Sequence, residues 1–504
     1  MFRKLLIANR GEIACRVIRA CNELGIRTVA VASEADAHGK HARLADELRL
    51  IGPAPSRESY LVVERILDAA RATGAEAIHP GYGFLSESQV LRDACDAAGI
   101  VFVGPPSRAM AVMGEKTAAR RAMQAAGVPV VPGTVEPLRD AAEAHAVAER
   151  IGYPIMLKAA SGGGGKGMRL VTDRAQLTEA FESCVREATS AFSDGSVYLE
   201  KAILRPRHIE VQVMADRVEH GHVIHLGQRE CSVQRRHQKV IEEALPANLS
   251  VETRRAMGEV AVTGARAIGY EGAGTFEFLC DAQENFYFLE MNTRLQVEHP
   301  VTEEVTGLDL VRLQIAVAAG RPLPVTQADV AWHGHALECR LYAEDPYNGF
   351  LPSPGRLWRY RPPSGPGVRV DDGVSEGDVV TPHYDPMVAK LITHATTRED
   401  AIARMKAALA ELRLGGIRSN REFLVTLLDH PDFVAGRYST AMIPEMGAVT
   451  EPALTAEERV LLATTAALTL HRSAGSRPAS ATVAPSGWRT AARGEGLRRA
   501  ESWS

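Results

Sequence analysis

The chain has 504 residues, of which 45% are hydrophobic and 24% charged, with a formal net charge of −4. That length allows about three ordinary domains, and the composition is that of a folded globular protein. A slight acidic excess without a basic stripe excludes a nucleic-acid footprint or a cationic membrane face, and seven scattered cysteines without a C-x-x-C pair exclude a disulfide framework or thiolate zinc site.

No signal peptide or membrane span fits the chain, so a cytoplasmic location is expected. Over the first hundred residues short apolar runs alternate with helical patterns. Residues 4–8, 28–32, 75–78 and 100–103 read as strands, with helices over 12–24, 60–73 and 90–98. Such alternation predicts a parallel sheet covered by helices, a doubly wound α/β domain over residues 1–112. Pro129, Pro132 and Pro137 then break the chain. A helix is expected over 141–151, a strand over 154–159, a glycine run, and a strand over 168–171. This stretch, about 130–205, is expected to be a mobile lid on a body spanning 113–330. Residues 331–446, rich in Gly and Pro at first and helical later, form a third domain of mixed α+β type. Beyond it lies a helix over 455–472. The remaining tail is rich in Ser, Ala, Gly, Pro and Arg, a composition that cannot bury much apolar surface and predicts flexibility.

The glycine run is Gly162, Gly163, Gly164, Gly165, Lys166 and Gly167. It is no Walker A loop, because Gly167 stands where Ser or Thr should follow the lysine. It is also a poor dinucleotide fingerprint, because a strand follows it. Between two strands it reads as a hairpin flap whose N–H groups close over phosphates, with a plain surface loop as the alternative. Lys116 and Lys158 bracket the lid and are suited to phosphate as point charges.

The strongest local pattern lies at 274–298. Two alternating segments, 274–279 and 286–292, flank a short polar turn. A hairpin centred near Gln283 and Glu284 sets Glu277 opposite Glu290, a repulsive pairing unless a hard divalent cation bridges the two acids. Asn292 shares their face. The alternation continues through Arg294, Gln296 and Glu298, with Met291, Leu295 and Val297 on the other side. This is either a solvated edge strand or an active-site face, and the mixed charges at close quarters favour the site. A further cluster, Arg235, Arg236, His237, Gln238 and Lys239, reads as an anion-binding wall rather than a nucleic-acid patch in a net-acidic chain.

These residues resemble biotin carboxylase, an ATP-grasp enzyme. The resemblance rests on KLLIANRGEIACRVIRACNELGI at the start, HPGYGFLSE at 79–87 and KAASGGGGKGMR at 158–169. It continues through 229–246, where Leu245 interrupts the usual Glu-Glu-Ala-Pro, through GAGTFEFL and FLEMNTRLQVEHPVTE within 272–303, and through GHALECRLYAEDP at 334–346. It spans about residues 1–446. It implies that Lys116, Lys158 and the flap residues Gly162, Gly163, Gly164 and Gly165 hold ATP phosphates. Glu200, Lys201 and Ile203 would line the adenine pocket, with His208, Gln234 and His237 near the nucleoside and triphosphate. Glu277, Glu290 and Asn292 would bind Mg2+ or Mn2+. Lys239, Arg294, Gln296 and the Val297 backbone would hold bicarbonate, Glu298 would be its general base, and Arg340 would face the ureido oxygen of biotin.

The resemblance further implies a homodimer that works with a biotin carboxyl carrier protein or domain and a carboxyltransferase. Acetyl-CoA carboxylase of fatty acid biosynthesis is one such setting, and propionyl-CoA, methylcrotonyl-CoA, pyruvate and urea carboxylases begin with a similar half, so the acceptor stays open. The rivals are another ATP-grasp carboxylate–amine ligase and a nucleotide-binding regulatory subunit without catalysis. Arg340 and the cluster at 235–239 favour biotin over an amine, and retention of Lys239, Arg294, Glu298 and Arg340 together argues against the regulatory subunit.

Overall fold

The apolar N-terminal run folds as β1 (Lys4–Ile7), and the helix Gly11–Glu23 returns the chain to β2 (Arg27–Ala32). With β3 (Glu47–Leu50), β4 (Ala77–His79) and β5 (Val101–Phe102) they form a parallel sheet in the order β3-β2-β1-β4-β5. This is the expected doubly wound arrangement. The edge strand β3 was not expected from sequence: its Glu-Leu-Arg-Leu is mostly exposed and carries no buried run to mark it. The computed structural model describes residues 1–134, 136–159, 167–192, 194–217, 222–451 and 455–475. The glycine flap at 162–165 therefore lies outside the described residues, as does most of the tail.

The lid region holds a three-stranded antiparallel sheet in the order β7-β6-β8, made of β6 (Ile155–Ala159), β7 (Met168–Val171) and β8 (Val197–Lys201). The helix Ala141–Ile151 starts where the Asp140 carboxylate accepts the Glu143 N–H, an ordinary N-cap. Ile155, Leu157, Val197 and Leu199 bury against Ala144, Ala148 and Phe181 in a core of the lid's own.

The site rests on an eight-stranded antiparallel sheet. Six of its strands are β9 (Arg207–Ala215), β10 (Val223–Arg235), β11 (Gln238–Ala244), β12 (Gly272–Cys280), β13 (Phe286–Asn292) and β14 (His335–Tyr342). The order is β13-β12-β9-β10-β11-β14, followed by the strands Met387–Ala395 and Val368–Asp372. One sheet thus runs across the expected boundary near 330. Its inner rows explain the alternation: Ile209, Val211, Phe276, Phe278 and Phe288 form one core, while every second residue faces the opposite side. Close approach of the N-terminal helix to this sheet is set by Gly373. A Cβ there would lie 2.5 Å from the Glu12 nitrogen.

Residues 450–504 form a second unit, in which the described helix is Ala456–Gly475, close to the expected span. Among the described residues no helix is long and apolar enough to cross a membrane.

Candidate active site

The β12–β13 hairpin pairs Glu277 with Glu290 and Thr275 with Asn292, the expected partners, through a one-residue shift from the turn-side register in which Phe278 faces Phe288. On the other side of β12, Glu277 faces Glu210 of β9. Three acids thus share one row, which needs cations to be stable. Lys239 of β11 supplies one: its Nζ lies 2.6 Å from Glu210, 2.9 Å from Glu277 and 2.5 Å from Glu298. Burial works against this charge, but the three carboxylates outweigh it and hold the Lys239 pKa well above the ordinary value.

Glu277 is further bound by Asn292 Nδ2 and Gln296 Nε2, each at 2.8 Å, and lies 3.0 Å from His208 Nε2. Burial would raise its pKa, yet Lys239 and His208 pull it well below the usual range. His208 shows the reverse: burial lowers its pKa, and Glu277 more than compensates, so it is raised. Glu290 opens to solvent across the hairpin, and its pKa is raised by desolvation in the cleft and by Glu277. Paired acids of which one resists ionisation are the donor set a hard divalent cation relieves, so Glu277, Glu290 and the Asn292 amide oxygen fit Mg2+. A second group, His208, Glu210 and Glu277, brings its ligand atoms within 4.8 Å of one another, but Lys239 already neutralises two of its acids.

The strand alternation does not continue past Asn292. The strand ends there, and a turn leads into the helix His299–Thr306 with Pro300 in its first turn. The polar residues still converge, because each is captured separately. Arg294 donates to Glu87 at 3.0 Å and to Asn292 Oδ1 at 2.9 Å. Glu87 also accepts the Thr293 N–H at 3.0 Å. Gln296 accepts from Arg229 at 2.7 Å. Glu298 accepts from Arg340 at 2.8 Å, and Arg340 Nε donates to Glu242 at 2.6 Å. Burial would raise the Glu298 pKa, but Lys239, Arg340 and Arg229 hold it well below the usual range. Burial pushes Glu242 up to about 7 despite Arg340.

The side chains of the basic cluster at 235–239 diverge. Arg236 and His237 sit exposed at a two-residue turn with φ of +49° and +67°, the geometry of a tight hairpin. Arg235 pairs with Glu344 at 3.0 Å and stacks 4.0 Å from the Phe350 ring centre. Only Lys239 reaches the acids described above, and Gln234 lies buried 3.3 Å from His208 Nδ1.

Of the expected nucleotide residues, His208 and Gln234 lie beside Glu277, whereas Lys158, Glu200, Lys201 and Ile203 gather at the lid edge. Lys158 pairs with Glu200 at 2.5 Å, and Arg120 binds the same carboxylate. Lys201 Nζ donates to the Gly152 and Tyr153 carbonyls at 3.0 and 2.9 Å. Ile203 is half-buried just beyond β8, and exposed Lys116 opens the helix Lys116–Ala125.

Sequence reasoning passed over Arg229, which is fully buried and bonds Glu210, Gln212, Thr275, Thr302 and Gln296. The polar residues His208, Glu210 and Gln212 at every second position of β9 were the available signal. Next to Arg340 and Arg294 opens a cavity of about 390 Å³, bordered also by Arg10, Tyr82, Val297 and Tyr384. Residues from the first, second and third regions of the chain meet there, in a space suited to a small organic substrate.

Residues 1–110 match the family described as biotin carboxylase, N-terminal domain, and 338–445 the biotin carboxylase C-terminal domain. Residues 115–326 match the carbamoyl-phosphate synthase L chain ATP-binding domain. The chain is 53% identical over 443 residues to the biotin carboxylase of Halalkalibacterium halodurans, covering 88% of this chain and 97% of that one. It is 52% identical over 465 residues to the propionyl-CoA carboxylase alpha chain of Ruegeria pomeroyi, covering 88% and 68%. Among solved structures, the Campylobacter jejuni biotin carboxylase–βγ-ATP complex superposes with a TM-score of 0.83 at 47% identity, covering 88% of this chain and 99% of that one. The biotin carboxylase domain of a thermophilic 2-oxoglutarate carboxylase bound to bicarbonate gives 0.86 at 45% identity, covering 90% and 100%. Likeness at this level extends through all three matched regions and is not confined to the nucleotide-binding fold that many ligases share. The chain belongs to the biotin carboxylase family.

Proposed function

We propose that the chain catalyses the first half-reaction of a biotin-dependent carboxylase. Bicarbonate attacks the γ-phosphate of ATP to give carboxyphosphate and ADP. Carboxyphosphate then yields CO2 and phosphate, the phosphate takes the N1′ proton of biotin, and N1′ attacks CO2. The observation that carries this reading is the convergence on Glu298 of Lys239 from β11 and Arg340 from β14, a carboxylate base between two fixed cations.

In this reading Lys239, Arg294, Gln296 and the Val297 amide hold bicarbonate, and Glu298 takes its proton, since bicarbonate is a weak nucleophile while protonated. Arg340, lining the cavity, stabilises the ureido oxyanion of biotin with a charge that never dissociates. Lys116, Lys158, His208, Gln234 and His237, with Glu200, Lys201, Ile203 and the flap, serve ATP. Glu277, Glu290 and Asn292 would hold Mg2+, which neutralises charge building on the phosphates. The lid excludes water from the labile mixed anhydride.

Partners follow from the same reading: a biotin carrier and a carboxyltransferase, with a second copy of the chain. The relatives include propionyl-CoA and methylcrotonoyl-CoA carboxylase alpha chains, so the acceptor is left open. A 2-oxoglutarate carboxylase domain is described as a dimer with MgADP and bicarbonate. All seven cysteines are buried free thiols, in keeping with a reducing cytoplasm. The test is ADP release by the purified chain with Mg2+, bicarbonate and free biotin. Release that depends on both substrates, with label from bicarbonate fixed on biotin, supports the reading. ATP turnover indifferent to both would sink it.

A further inference from the structure

The turn from Arg294 to Glu298 is pinned residue by residue, and one of its pins lies outside the set assigned above. The two peptide planes that flank Val297 are each held through their carbonyl oxygens. His299 Nδ1 lies 2.8 Å from the Gln296 oxygen, and Lys390 Nζ donates to the Val297 oxygen at 2.7 Å. Lys390 stands on the strand Met387–Ala395 directly opposite Arg340 of β14, so the two cations face the site from neighbouring strands.

The Lys390 side chain is fully buried, which is costly for an ammonium without compensation. The charged or titratable groups around it are Glu12 at 3.4 Å, Asp371 at 3.8 Å, Glu338 on β14, and the Tyr82 ring with its centre at 6.0 Å. His299 and Arg369 complete the surroundings, and Arg369 is bound to Asp371. A lysine present only as a counter-ion would close on a carboxylate. This one makes its shortest contact with the neutral carbonyl of the turn, and both Glu12 oxygens are left without a hydrogen bond.

We propose that Lys390 is a positioning residue of the anion site: by fixing the Val297 carbonyl it fixes the peptide between Val297 and Glu298. With His299 on the preceding plane, it thereby aims the Val297 amide and the Glu298 carboxylate at one point. The proposal rests on bicarbonate being the anion bound by this turn.

The test compares the parent, K390M and the double variant K390M/E12Q in bicarbonate-dependent ATP hydrolysis with free biotin present. Both variants are expected to raise the KM for bicarbonate about tenfold, the scale of one lost charge-assisted hydrogen bond. The KM for ATP should stay within about twofold, a split that general loosening of the fold would not give. K390M leaves Glu12 buried without its cation, so it melts early; the double variant removes that charge and melts near the parent. Parental bicarbonate KM in a folded variant, an equal rise in both KM values, or failure of both variants to fold would make Lys390 purely structural and overturn the proposal. A parent without bicarbonate-dependent turnover would instead count against the functional reading.

Discussion

Lys239 Nζ lies 2.5 Å from Glu298 Oε1, and the same ammonium also holds Glu210 and Glu277. Arg340 takes the other Glu298 oxygen at 2.8 Å. Those two cations hold the Glu298 pKa well below the usual range, which makes it a weak base. In the proposed reaction an anion entering beside Lys239 would compete for that ammonium, and Glu298 would gain basicity as its own bond to Lys239 weakens.

Glu298→Gln keeps the shape of the side chain and removes the proton acceptor. Bicarbonate-dependent turnover should fall by ~10²–10⁴-fold, the usual contribution of a general base. ATP affinity should stay nearly intact, because Glu298 contacts Lys239 and Arg340, neither of which is assigned to ATP. Carboxylation of biotin by the variant near the parent rate would remove Glu298 from the role.

Glu277→Gln and Glu290→Gln should each raise the magnesium concentration needed for half-maximal activity, since each removes a hard anionic ligand. The structure adds an asymmetry. Glu277 is bound to Lys239, Asn292 and Gln296 and lies against His208, so its loss also loosens the turn. Glu290→Gln should shift the magnesium titration with little change in melting temperature, whereas Glu277→Gln should lower both. Identical titrations for the parent and both variants would refute the metal assignment.

The contrast between Glu277 and Arg340 marks what the sequence made legible. The Glu277–Glu290 pairing was expected from period-2 alternation and a short polar turn, and it forms with the help of a one-residue shift beside Glu277. The fate of 293–298 did not follow, because a turn and a strand can present the same alternating residues. Partners distant in sequence, among them Glu87, Arg229, Lys239 and Arg340, decide where those side chains go. The splitting of the cluster at 235–239 was not legible for a related reason: positive φ at Arg236 and His237 turns adjacent residues apart, and neither residue type announces it. The continuous sheet through β11 and β14 was hidden by a long intervening connection, and with it the meeting of Glu242 and Arg340.

His79 offers a test of the first region by pH. It is fully buried, and its Nδ1 accepts the Gly81 N–H at 3.0 Å. Burial pushes its pKa down to about 3, with the Gln314 side chain opposing the fall and the Arg16 charge adding to it. A depressed folded-state value means that the unfolded chain takes the proton first. His79 thus contributes stability present above its unfolded value of about 6.5, and that stability is lost as pH falls toward the folded value. Glu12 and Glu242, each raised to about 7, act in the opposite sense, so the parent's net slope conceals the effect. His79→Asn keeps an acceptor for Gly81 but cannot titrate. Relative to the parent it should gain about 1.4 kcal/mol per pH unit below about pH 6.5, read from urea unfolding at several pH values. A stability difference independent of pH would contradict the buried neutral histidine.

The last prediction separates catalyst from carrier. Covalent biotin in this family sits on a lysine within a Met-Lys-Met sequence at the tip of a hairpin, and that sequence occurs nowhere in the 504 residues. The one Met–Lys pair, Met405–Lys406, lies inside the helix Arg398–Glu411. Met405 is buried in the core, and Lys406 is paired with Asp429, so neither can protrude on a turn. Biotin therefore arrives as a substrate, free or on a carrier domain. The purified chain should show no biotin mass increment and no retention on streptavidin, yet carboxylate added biotin. Biotin on its carrier should react faster than free biotin, because docking of the carrier raises its effective concentration and fixes its approach. Covalent biotin on this chain would overturn the assignment as catalyst alone. ATP turnover unmoved by biotin, with an amino acid accepted in its place, would give the site to a carboxylate–amine ligase.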